Sequence, residues 1–269
     1  MKSAETGEDT EGPPLSVPGE VMNNNLSPAE VTRYSFQIAM DEWGRESQER
    51  LKSSRVLVAG AGGLASSVAL HLMTTGVGAL RLVDPSRISL ADLHATILYR
   101  ERDLGKAKAT IAERRLKEIN PFASVEGQGK TISEHNVYRL SSGCNLLIDA
   151  MKNPVAGYFL NLAATRFRIP LIHAWVWDME GHLTTFWPGQ GPCLACVFPE
   201  PPPKKQPALM GPMPGIMGAM QALEALRILG GLGPALLGRL LVFKGNQFQF
   251  QEEPLQLNPK CPVCRHLTN

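Results

Sequence analysis

The sequence predicts an α/β fold, a mostly parallel twisted sheet with helices on both faces and antiparallel additions. Three observations lead there. The apolar run Arg55-Val56-Leu57-Val58-Ala59 enters Gly60-Ala61-Gly62-Gly63-Leu64-Ala65, then an amphipathic stretch to Thr75, then Ala79-Leu80-Arg81-Leu82-Val83 ending in Asp84. Strand, glycine turn, helix and strand closed by an acid make a Rossmann-like βαβ unit. Helical and strand-like segments alternate through the first half of the chain and strands come in pairs later, as in a parallel sheet extended by antiparallel strands. Two Cys-x-x-Cys pairs, Cys193 with Cys196 and Cys261 with Cys264, add a four-thiol set that ties the end of the chain to its middle.

Taken in order, residues 1–28 form one segment, rich in Gly, Pro, Glu, Asn and Ser with few hydrophobes, and read as a disordered arm that cannot offset its ordering entropy. Ser27-Pro28-Ala29-Glu30 opens a helix, with Ser27 as N-cap, Pro28 in the first position and Glu30 completing a capping box. Arg33-Tyr34-Ser35-Phe36-Gln37 lies on it, and a second helix around Gln48 to Lys52 leads into the strand at Arg55. Beyond the βαβ unit, helices are expected at about Lys106 to Ile119, stopped by Asn120-Pro121, and at Val155 to Phe167. Strands are expected at Asn145 to Asp149, Pro170 to Ala174, His182 to Trp187 and Arg239 to Phe243. Met210, Met213, Met217 and Met220 fall on one helical face, the pattern of a core or dimer contact.

The 27 Lys and Arg against 25 Asp and Glu leave a net charge of +2, so no field directs the chain to nucleic acid or an anionic membrane. The most apolar region, Met210 to Phe243, is interrupted by Glu224, Arg227 and several Gly and Pro, which argues against a bilayer span. Glu5, Glu8, Asp9 and Glu11 precede any hydrophobic run, the reverse of a secretory leader, so a cytoplasmic location is expected. In a reducing compartment paired cysteines point to metal before disulfides.

Glycines at 60 and 62 let backbone amides approach a phosphate at the positive end of the following helix, and Asp84, about 20 residues on, is placed to accept from ribose hydroxyls. Cys193, Cys196, Cys261 and Cys264 supply four thiolates to a tetrahedral zinc, leaving no open position, so that site is structural. A nicotinamide-dependent oxidoreductase would share the glycine turn and Asp84, but it leaves the cysteine pairs without a role.

Nearly everything after residue 28 resembles the HesA/MoeB/ThiF group of ubiquitin-activating-enzyme-like adenylyltransferases. The resemblance rests on Arg33-Tyr34 with Gln37, the run from Arg55 to Leu64, Gly76-Val77-Gly78, Asp84 with Ser89-Leu90, and Gly105 with Lys108. Ile119-Asn120-Pro121, Asn153, Glu180-Gly181, Gly211-Pro212 through Gly218, Gln221-Ala222, Glu224-Ala225 and both cysteine pairs complete it. It implies that residues 29–269 are an adenylation domain that uses Mg-ATP to adenylate the C-terminal glycine of a ubiquitin-fold carrier, as a homodimer or heterodimer. It also implies that Gly60, Gly62 and Gly63 lie near the phosphates, Asp84 holds the ribose, Asn153 belongs to the nucleotide site and Lys108 contacts phosphate.

Against that family pattern, Phe36 stands where an arginine enters the partner subunit's site, and Ala95 where an arginine follows an Asn-Leu pair whose asparagine is here Asp92. Lys152 replaces the magnesium-binding aspartate before Asn153, and the cysteine some relatives carry in the crossover loop falls near Lys204, in the Pro199 to Pro207 segment. Loss of one phosphate-directed arginine slows comparable phosphoryl transfers about 10³- to 10⁵-fold. Two readings follow from the resemblance: an active adenylyltransferase, or a degenerate member acting as partner subunit or carrier-binding scaffold.

Overall fold

The computed structural model describes residues 25–201 and 208–267. The expected arm lies outside the described residues up to position 24, but Leu26 is already buried and Ser27 caps α1 (Pro28–Arg33) through the complete capping box. There follow α2 (Ser35–Ile38), α3 (Gly44–Ser53), β1 (Arg55–Ala59), α4 (Gly63–Thr75), β2 (Ala79–Val83), α5 (Lys108–Ile119), β3 (Ser124–Gln128), α6 (Glu134–Ser141) and β4 (Leu146–Asp149). The second half holds α7 (Pro154–Phe167), β5 (Leu171–Trp177), β6 (Glu180–Phe186), α8 (Leu194–Val197), α9 (Pro212–Gly230), β7 (Arg239–Lys244) and β8 (Gln249–Pro254).

Among the described residues the strands form one sheet in the order β3-β2-β1-β4-β5-β6-β7-β8. β1 to β5 are parallel and β6 to β8 antiparallel, the arrangement expected from the segment pattern. Side chains alternate across each strand. Val56 and Val58 with Leu146 and Ile148 pack on one face beneath α4, α5 and α9, whereas Leu57, Ala59 and Leu147 pack on the other against α6 and α7. Strands covered on both sides must be apolar throughout, which is why these runs stood out.

The elements not expected from the sequence are β3, α6, α8 and β8. β3 is an edge strand, Ser-Val-Glu-Gly-Gln, with Val125 alone buried, and every residue of β8 is exposed, so neither carries an apolar signature. Of the four methionines, Met213 and Met217 are buried on α9, but Met210 precedes the helix and is exposed, so the expected stripe is shorter than its spacing suggested. Positions 208–210 bond along Asp178, with Asp178 N–H donating to the Ala208 carbonyl and Met210 N–H to the Asp178 carbonyl. No helix of the described residues is long and apolar enough to cross a membrane.

The motif residues near the amino terminus hold the fold together. Arg33 Nη2 donates to the Ile119 carbonyl at 2.7 Å, and Asn120 Nδ2 donates to Tyr34 Oη at 2.8 Å and to the Met73 carbonyl at 2.7 Å. Gln37 bonds Gln48 and the Thr75 carbonyl. On α9, Glu224 accepts from Thr185 and from the Ala235 and Leu236 amides, pinning the loop before β7.

Candidate functional site

The C-terminal ends of β1, β2 and β4 converge on the glycine turn. Gly60 has φ +108°, and a Cβ there would lie 2.7 Å from the Ala150 carbonyl oxygen, so only glycine lets the β4–α7 turn come this close. A Cβ on Gly63 would lie 2.6 Å from the Ala95 carbonyl oxygen and 3.0 Å from Pro214, which packs the β2–α5 connection and the start of α9 against the same turn. At Gly62 an added Cβ meets nothing within 4 Å. Gly62 is also the N-cap of α4 and offers no side-chain cap. Helix geometry leaves the amides of Gly63, Leu64 and Ala65 without intrahelical acceptors, and the helix dipole adds positive potential there. The combination of open Cβ direction, uncapped amides and a thirteen-residue helix fits a bound phosphate group.

Asp84 is buried with both oxygens engaged: Oδ2 accepts from Ala61 N–H at 2.8 Å and Oδ1 from Ser86 N–H at 2.7 Å. It therefore fastens the glycine turn, and any contact with a ribose would use its remaining lone pairs. Tyr99, which sequence reasoning missed, sits behind it. Its hydroxyl donates to the Ala61 carbonyl at 2.6 Å and lies 3.2 Å from the Lys108 carbonyl, tying the turn to the start of α5. Burial first, and then the Asp84 and Asp92 charges, push the Tyr99 phenol above its ordinary range, so it stays protonated as a donor.

Lys108 is the first residue of α5, where a cation opposes the helix dipole. Its Nζ donates to Asp92 Oδ1 at 2.7 Å with both side chains 8% exposed. Asp92 Oδ2 accepts from the Ser89 amide at 2.9 Å and hydroxyl at 2.7 Å. Burial alone would raise the Asp92 carboxyl, but the Lys108 and Ser89 hydrogen bonds and the Lys108 charge outweigh it and bring it down to about 2. Lys152 reaches the same carboxylate, its Nζ 3.9 Å from Asp92 Oδ1 and its side chain 61% exposed. Asp149, at the end of β4, accepts from Met151 N–H at 3.1 Å and from His173 Nδ1 at 2.8 Å. An acid closing an apolar run was the signal that found Asp84, and the same signal marks Asp149.

Asn153 caps α7, its Oδ1 accepting from Val155 N–H at 3.2 Å, beside the Met151 turn. Ala95 abuts Gly63 as described, and Phe36 stands 91% exposed on α2, turned away from the anchored Tyr34 and Gln37. Lys204 lies outside the described residues.

The four cysteines of the two pairs come together at the other side of the sheet. Their sulfur atoms lie within 4.8 Å of one another, with Cys193 to Cys261 at 3.6 Å, Cys193 to Cys196 at 3.8 Å and Cys196 to Cys264 at 3.3 Å. Four thiolates at about 2.3 Å from one ion would be spaced in this range, so the cluster fits a tetrahedral metal. Asn161 braces it, Oδ1 accepting from Leu194 N–H at 3.0 Å and Nδ2 donating to Cys193 Sγ at 3.6 Å. Burial pushes the Cys193 thiol up, against the Asn161 hydrogen bond. A bound cation supplies the charge that makes thiolates favourable there.

The ThiF family model matches residues 34–263. The chain is 34% identical over 246 residues to the "Sulfur carrier protein adenylyltransferase" of Thermus thermophilus, covering 87% of this chain and 91% of that protein. It is 38% identical over 249 residues to the "SAMP-activating enzyme E1" of Haloferax volcanii, covering 90% and 92%. It spans 54% of the length of the "Adenylyltransferase and sulfurtransferase MOCS3" of Drosophila persimilis. In fold it is similar to E. coli MccB crystallised with AMPCPP and MccA, with a TM-score of 0.78 and 22% identity over 92% of this chain and 76% of that one.

Proposed function

The chain belongs to the ThiF family, and from that premise we propose that it is an ATP-dependent adenylyltransferase that activates the C-terminal glycine of a ubiquitin-fold sulfur-carrier or modifier protein. The observation that carries this reading is the uncapped amino end of α4 behind Gly62, framed by Gly60, Gly63 and Asp84. The substrate class is supported by the names of the Thermus and Haloferax relatives. In the reaction a carboxylate oxygen of the carrier forms a bond to the α-phosphorus of ATP. The bond from that phosphorus to the bridging oxygen of the β-phosphate breaks, and pyrophosphate leaves.

Negative charge grows and redistributes on the phosphates, so catalysis depends on donors fixed in advance. The amides at the start of α4 and the ammonium of Lys108 are those donors, with Asp84 and Tyr99 holding the turn rigid and Asn153 bounding the site. The four cysteines hold a structural zinc. The active unit is a dimer, with itself or with a relative, and exposed Phe36 on α2 is offered to the second subunit.

The test is exchange of radiolabelled pyrophosphate into ATP in the presence of purified ubiquitin-fold carriers. Exchange that appears with one carrier and vanishes when its terminal glycine is removed is the expected result. Carrier binding without exchange by any of them would replace this reading with that of a degenerate partner subunit.

A further inference from the structure

The resemblance to magnesium-dependent adenylyltransferases implies a divalent cation on the triphosphate, and the carboxylates around the glycine turn do not fit one. Magnesium demands oxygen ligands in near-ideal octahedral geometry, commonly one or two carboxylates beside substrate phosphates. Among the described residues, four buried carboxylates lie at these strand ends and their connections, Asp84, Asp92, Asp103 and Asp149. Every one of their eight oxygens already faces a donor. Asp84 faces the Ala61 and Ser86 amides, Asp92 faces Lys108 and Ser89, Asp103 faces Lys106, Arg114, Arg115 and the Arg100 amide, and Asp149 faces the Met151 amide and His173. A dication at Asp92 would also sit against two ammonium groups, those of Lys108 and Lys152, that share its Oδ1.

On the adenylation reading above, we infer that the triphosphate is held by the ammonium of Lys152, set beside the Lys108–Asp92 pair, in place of a divalent cation. The charges suit this. One carboxylate between two ammonium groups leaves a surplus of one positive charge, and Lys108 neutralises Asp92 directly at 2.7 Å. Lys152, at 3.9 Å from Asp92 and largely exposed, is beyond hydrogen-bond length and keeps its donors for an incoming anion. Its turn packs so close to Gly60 that a Cβ there would lie 2.7 Å from the Ala150 carbonyl oxygen, so the ammonium and the α4 amides approach a ligand from adjoining turns. A lysine carries a compact point charge with three rotatable donors, a form suited to phosphate oxygens without metal.

The experiment is calorimetric titration of the full chain with ATP, once with excess EDTA and once with Mg²⁺. Wild type should bind equally well in both, within about threefold. Lys152→Ala should lose about tenfold to a hundredfold in affinity in EDTA, the worth of one charge-assisted hydrogen bond, with an unchanged melting temperature, and Lys152→Arg should recover most of it. Lys152→Asp should bind only when Mg²⁺ is present. ATP binding by wild type that requires Mg²⁺, or Lys152→Ala binding as wild type does in EDTA, overturns this inference and leaves the adenylation reading standing. Absence of ATP binding under both conditions overturns the two together.

Discussion

Gly62 shows how much one residue can separate binding from folding. A side chain there points into open space, φ is −86°, and the position is the N-cap of α4. Aspartate is a favoured N-cap, so Gly62→Asp should hold or slightly raise the melting temperature while its carboxylate occupies the amides that a phosphate needs. Calorimetry should find ATP binding abolished in a fully folded protein. Asp92 supports a second prediction. Its carboxyl lies at about 2 in the folded chain against an ordinary 3.8, so its ionised form is favoured by folding. That contribution is complete above pH 4 and is lost as pH falls from there through 2, amounting to about 2 kcal/mol. Asp92→Asn should therefore show a shallower loss of stability on acidification from pH 5 to 2. At neutral pH it should be the less stable protein, because Lys108 is left buried without its counter-charge. Denaturant titrations across that range measure both effects. Cys144, outside the cluster, is a buried thiol pushed up to about 11 by burial.

At the scale of elements, the site is a meeting of turns whose relative positions are held by a few side chains. Tyr99 joins the β1–α4 turn to the first residue of α5, and Asp84 joins it to the end of β2. Tyr99→Phe leaves the buried Ala61 carbonyl without its donor and should lower stability by about 1–3 kcal/mol in chemical denaturation. It should also weaken ATP binding, since the glycine turn and Lys108 are then no longer tied to each other. The strands beneath these turns could be read from their apolar runs because both faces are covered. The Ser27 capping box could be read because it is complete within four residues. β3 and β8 could not, because one buried side chain or none leaves no period, and their places come from pairing with β2 and with β7. α6 does carry a signal, Val137, Leu140 and Ser141 buried at helical spacing behind a Ser133 capping box, which the sequence reading missed in so short a segment.

For the whole molecule, the cysteine cluster forms a small apolar centre distinct from the two large cores on either face of the sheet. It fastens the last described turn to α7 through Asn161 and to the segment before α8. Metal binding of this kind contributes folding free energy on the order of 10 kcal/mol in small zinc domains. Mass spectrometry under native conditions should find one zinc per chain. Removing it with a strong chelator should lower the melting temperature by about 10 °C or more, corresponding to several kcal/mol. Far-UV circular dichroism below that temperature should change little, since the sheet and its cores do not pass through the cluster. A folded protein of unchanged stability that contains no metal would overturn the zinc assignment.

The sequence by itself determined the layer order, the glycine turn with its acid, and the two cysteine pairs, because each is written in local spacing: a period, a tight turn, a pair three residues apart. Family likeness added the expected roles of Lys108 and Asn153 and exposed the departures at Phe36, Asp92, Ala95, Lys152 and the segment near Lys204. Tertiary structure alone decided that Asp92 pairs with Lys108 and stands beside Lys152, although Asp92 lies in the β2–α5 connection, Lys108 opens α5 and Lys152 lies in the β4–α7 turn. It alone decided that Asp84 and Asp149 spend their oxygens on neighbouring donors, and that cysteines more than sixty positions apart meet within 4.8 Å. The reason is that Coulombic and coordination partners are chosen by distance in space. That distance is set by how the crossovers return each strand end to one edge of the sheet, which no spacing along the chain records.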